Sequence, residues 1–155
     1  MKKIIRSLIM FFIIGFVYYN VELLYRGYSH ISMFILAGVC GVLFIDTPNN
    51  IYSFELDYRW QVLISAALCT ISEGVCGLIV NVWLGLNVWD YSSLPGSFFY
   101  NQCNVIFVFA WLILIGFIGI PMCDFMNYYW FKIEPCPYYK INEKIVFKFK
   151  ERKTK

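Results

Sequence analysis

The stretch Ser72–Cys103, SEGVCGLIVNVWLGLNVWDYSSLPGSFFYNQC, decides how the chain is to be read. It is the second half of an apolar helix with an ionisable residue, Glu73, in its middle, followed by an aromatic loop carrying Asp90. Ser65, Cys69, Glu73, Gly77, Asn81 and Gly85 recur at every fourth position. One slowly drifting stripe of the helix is therefore wholly small or polar, while Ile71, Val75, Leu78 and Val82 point elsewhere. Small residues at this spacing let helices approach closely, and polar ones bond across the contact. The pattern predicts a membrane span from about Gln61 to Leu84. Glu73 falls about 18 Å along it, past the middle of a hydrocarbon core about 30 Å thick. A carboxyl group at that depth costs a few kcal/mol unless it is protonated, hydrated or paired. Two readings stay open: a proton or cation site, and a neutral Glu that hydrogen-bonds helices together. Tyr18, Tyr19 or water are the expected partners, because Arg26 belongs at the surface.

Working outward, the whole chain has the same solvent. Of its 155 residues, 60% are hydrophobic, 21% aromatic and only 15% charged, with a mean hydropathy of +0.62. That excludes a soluble domain of this size, and the length accommodates about four spans and no nucleotide-binding domain. The six cysteines form no CxxC pair and His30 is alone, so neither a metal or redox centre nor a cofactor is expected. With no nucleophile and base pair in view, an enzyme is not expected.

The first span is expected over 7–24, after the charged start MKKIIR, with no small-residue cleavage site behind it. Gly15, Tyr19, Glu22 and Arg26 share one helical face, and Glu22 with Arg26 stands in the favourable acid-first i,i+4 order. A second span is expected over 28–45, after a tight turn at Gly27, with Asp46 and Pro48 as its stop. A fourth is expected over 105–123, with Pro121 ending or kinking it. Between the third and fourth, Trp89, Asp90, Tyr91, Ser92 and Pro95 form a structured loop at the membrane surface. Asp90 either caps a turn there or lines the mouth of a polar cavity.

Residues 132–155 hold eight of the thirteen Lys and Arg, while the connections on the other side hold only Arg26. By the positive-inside rule both termini are cytoplasmic. The expected architecture is an all-α integral membrane bundle, residues 1–131, followed by a basic juxtamembrane tail, 132–155, suited to anionic lipid rather than nucleic acid.

Three segments carry a resemblance: YNVELLYRGYSHISMFILAG from Tyr19, SEGVCGLIVNVWLGLNVWDYSSLP from Ser72 and CDFMNYYWF from Cys123. The chain resembles the small bacterial membrane proteins grouped as ABC-transporter type IV, or ABC transporter permeases, over most of its length. Its most specific parts are Glu22, Tyr25 and Arg26, and the run from Trp89 to Pro95. Where those proteins continue with an Asn and a Gly-Gln-x-Cys element, this chain has Ser97, Tyr100 and Asn101 ahead of Cys103. The resemblance implies a multi-pass protein of the bacterial cell membrane, a permease-like subunit of a transport system whose ATPase is a separate protein.

The polar face of Glu22, Arg26, Glu73, Asn81 and Asp90 would then form the path or cavity. The alternatives are a membrane scaffold or regulator in which the stripe only packs helices, and a holin-like pore. Four spans are few for a complete path, so a homo-oligomer packed through Gly38, Gly41, Gly77 or Gly116, or partner subunits, is also expected.

Overall fold

The computed structural model describes residues 2–52 and 54–152. Among the described residues four helices are long and apolar enough to cross a membrane: α1 (Lys2–Arg26), α2 (Ile31–Ile51), α3 (Tyr58–Trp83) and α4 (Val105–Phe131). The described residues also form two short antiparallel hairpins. Strands β1 (Ser97–Phe98) and β2 (Cys103–Asn104) pair within the α3–α4 loop, and β3 (Tyr138–Ile141) pairs with β4 (Lys144–Lys148) beyond α4. The molecule is mostly helical, as its composition predicts. The expected basic tail contains the β3–β4 hairpin, which docks on the bundle with Tyr139 stacked on Tyr58 at 4.2 Å.

Polar residues just before three apolar runs start the helices. His30 Nδ1 accepts from the Ser32 N–H, Asp57 Oδ1 from Arg59 and Asn104 Oδ1 from Ile106, each satisfying a donor that the first turn leaves free. Gly27, with φ +78°, closes α1, and its N–H donates to the Leu23 carbonyl.

Neither proline ends its helix. The second helix starts at Ile31 rather than Tyr28 and runs on past Asp46 and Pro48, and the fourth runs past Pro121 to Phe131. In each, a wide turn bonded i→i−5 precedes the proline: Thr47 N–H donates to Val42, and Ile120 N–H to Ile115. Such a turn shifts the bonding register, so the donor that proline lacks falls where the helix does not need it. The first helix likewise begins before Ser7. As a result Arg6, Asp46 and Asp124 lie inside helices rather than at their surface connections.

The small stripe on α3 faces the core. Ser65, Cys69, Glu73 and Gly77 are buried, while Ile71, Val75 and Val82 are exposed on the opposite flank. The glycines are occupied within the chain. A Cβ on Gly38 would lie 2.6 Å from the Phe11 ring, one on Gly41 2.5 Å from Ile14, and one on Gly77 2.6 Å from Gln102, while Gly116 faces Val62. A homo-oligomer therefore needs another face.

At Gly15 the neighbour is backbone, the Phe34 carbonyl oxygen at 2.8 Å, which cannot move without parting α1 from α2. Gly15→Ala is expected to lower the unfolding free energy by about 1–3 kcal/mol, the usual range for overpacking. Denaturant titration in detergent checks this, and unchanged stability would mean that the two helices are not in this contact.

Candidate functional site

Glu73 is 2% exposed, and both its oxygens are partnered. Tyr91 donates its hydroxyl to Oε1 at 2.9 Å, and Trp111 donates Nε1–H to Oε2 at 2.9 Å. The expected partners on α1 are not the ones used. Tyr18 instead stacks on the Trp111 ring, centroids 5.3 Å apart and planes 8° apart, so it holds the donor. Tyr19 is half-buried and stands outside this cluster. Helix α3 puts Glu73 about 15 Å short of its Trp83 end. The loop must therefore turn back into the bundle for Tyr91 to reach it.

The sequence of the loop explains how it does so. Asn81 accepts from the Val88 N–H through Oδ1 at 2.6 Å and donates to Gln102 Oε1 at 2.7 Å, joining the end of α3 to the loop's return. Trp89 is buried and donates Nε1–H to the Gln102 carbonyl. Tyr91 stacks on Phe107 at 4.6 Å. Asn104 holds the Pro95 carbonyl at 3.0 Å. Asp90 does both things expected of it. Its oxygens accept from the N–H and hydroxyl of Ser92 at 2.9 and 2.7 Å, forming a local turn, and it also lies at a cavity wall. The Ser92 bonds hold its carboxyl below the usual carboxylate range. Burial, and then the Glu73 carboxyl, raise the Tyr91 hydroxyl, so Tyr91 remains a donor throughout the physiological range.

The cavity has a volume of about 580 Å³ and lies between α1, the start of α4 and the loop. Glu73, Glu22, Arg26 and Asp90 all reach it. Glu22 and Arg26 form the expected ion pair at 3.1 Å, and Ser29 donates its hydroxyl to the same Glu22 oxygen. Arg26 also lies over the Tyr28 ring at 4.6 Å. Ile106 and Ile113, each more than half exposed, line the flank of the cavity, so it opens sideways as well as toward the loop. Asn81 does not line it and works as a fastener.

A second polar cluster, at the hairpin end of the bundle, goes unforeseen in the sequence. Arg6 pairs with Asp46 at 2.9 Å, and Asn127 donates to Asp46 Oδ1 at 2.8 Å and to Glu134 Oε1 at 2.7 Å. Beside it, Asp124 accepts from Tyr139 at 2.7 Å and from Asn49. The signal was available, since ionisable residues within apolar runs are expensive and specific. Ending the spans at residues 45 and 123 hid it.

Burial, with Asp124 and Asp46 nearby, pushes the Glu134 carboxyl up to about 8, from an ordinary 4.5. Folding then takes up a proton between those values, so this contribution is full below pH 4.5 and is lost as pH rises through about 8. Hydrogen exchange of the β3–β4 amides, corrected for its intrinsic pH dependence, is expected to be faster at pH 9 than at pH 6. Glu134→Gln should remove that difference; a difference that persists would assign it to other groups.

Comparison of the chain with protein-family models, curated proteins and solved structures returns no match.

Proposed function

We propose that the chain is the membrane subunit of a transport system, with both termini cytoplasmic and the cavity above Glu73 holding substrate in the outer half of the bilayer. One observation carries this reading: groups from α1, α3 and the α3–α4 loop, far apart in sequence, meet around a single cavity of about 580 Å³. That volume is within the range of small-molecule sites, about 300–1,000 Å³. A buried acid kept only to pack helices would need no such space beside it. The excess of basic residues in 132–155 supports the orientation. Partner subunits, among them an ATPase, would complete the path.

The test compares the small molecules retained and released by cells expressing the wild-type chain, Glu73→Gln or Asp90→Asn, with insertion of each verified in the membrane. The wild-type chain should change that profile relative to cells lacking it, and both variants should abolish the change. A wild-type profile identical to that of cells without the protein contradicts the transport reading and leaves the scaffold.

A further inference from the structure

The balance of charge and aromatic surface in the cavity narrows what it takes. Three acids, Glu22, Glu73 and Asp90, face one arginine, and that arginine is already paired with Glu22. Glu73 and Asp90 are left without a cationic partner in the cavity, and each Glu73 oxygen, holding one hydrogen bond, keeps a second lone pair. Around them stand aromatic rings, including the stacked pairs Tyr18–Trp111 and Tyr91–Phe107. An aromatic wall attracts a cation through its ring faces and an apolar body through burial. An anion would meet two uncompensated acids and no free basic group among the described lining residues. The flank at Ile106 and Ile113 offers an apolar entry.

We infer that the cavity binds an amphiphilic organic cation, its charged centre toward Glu73 and its apolar body against the Tyr18, Trp111 and Phe107 rings. This rests on the cavity being a ligand site, as proposed above, and adds the class of ligand. Selection comes from charge and not from shape alone: a ligand of the same size and opposite charge is rejected.

Tetraphenylphosphonium and tetraphenylborate are such a pair of probes, nearly alike in shape and opposite in charge. Ala110, a half-buried lining residue, is replaced in Ala110→Cys, and its labelling by a membrane-impermeant maleimide is followed in phosphatidylcholine nanodiscs. The wild-type chain, whose six cysteines are buried or half-buried, sets the background. Tetraphenylphosphonium at about ten times its Kd should slow labelling about tenfold, by occupancy alone, while tetraphenylborate should not. Adding Glu73→Gln should leave labelling intact and remove the protection, which separates loss of the acid from loss of the fold. Labelling slowed by the borate, or by neither ion, overturns the inference and leaves the cavity as a site of another class. No labelling of Ala110→Cys above background overturns both the inference and the ligand-site reading beneath it.

Discussion

Arg6→Leu is expected to lower the unfolding free energy by about 3–5 kcal/mol, because it strands a buried carboxyl among groups chosen to meet a guanidinium. Asp46 is fully buried. Arg6 reaches it with both terminal nitrogens, at 2.9 and 3.3 Å, and also donates to Asn127 Oδ1 at 2.8 Å. Asn127 in turn holds Glu134, so one side chain on α1 fixes α2, α4 and the connection to the hairpin together. Removing both charges, in Arg6→Leu with Asp46→Leu, should recover most of the loss, since a buried ion pair is worth little over an apolar pair of similar volume. Denaturant titration of the wild type, both singles and the double variant measures this. A single Arg6→Leu loss below about 1 kcal/mol would mean that water reaches Asp46.

The second large effect is expected at Glu73. Tyr91→Phe and Trp111→Phe each remove one donor from a carboxyl that is 2% exposed, with an expected loss of about 1.5–3 kcal/mol apiece. The effects are coupled, because both donors serve one group. In the background of Glu73→Leu, where no buried carboxyl is left to satisfy, Trp111→Phe should cost far less, giving a coupling energy of about 0.5–3 kcal/mol. Unfolding free energies of the four chains test it, and additive losses would show that Trp111 stabilises by packing against Tyr18 alone. Tyr91→Phe keeps the stacking on Phe107 and removes the loop's bond to Glu73, leaving its ties to α3 through Asn81 in place.

Much of this was legible because apolar helices obey one rule of spacing. The every-fourth-residue stripe on α3 points inward with Glu73 among its buried members, and Glu22 pairs with Arg26 as its i,i+4 order predicts. The site itself was half legible. Counting residues along a straight helix placed Glu73 and the loop from Trp89 to Pro95 at different depths, as two features on one polar face. The loop folds back, and that return depends on long-range bonds such as Asn81 to Gln102 and Trp89 to the Gln102 carbonyl, which have no local periodicity.

Trp111 was missed as Glu73's donor for the same reason, since within α4 it reads as one more apolar residue. The errors at Asp46, Pro48 and Pro121 have a different cause. Proline and aspartate are local stop signals, and here wide helical turns and a buried arginine override them. The tail's hairpin was hidden by its charge. Its order comes from Tyr139, Tyr138 and Lys140 finding Asp124 and Glu55, partners from other elements.

In the proposed site Glu73 forms the floor of an open cavity and is reached through it. Modification of Glu73 by a small membrane-permeant carbodiimide, mapped by mass spectrometry in nanodiscs, tests this when Ala110→Cys is first left free or first capped with a bulky maleimide. The geometry predicts that Glu73 reacts in the free chain and is protected in the capped one. Equal modification of Glu73 in both would contradict it.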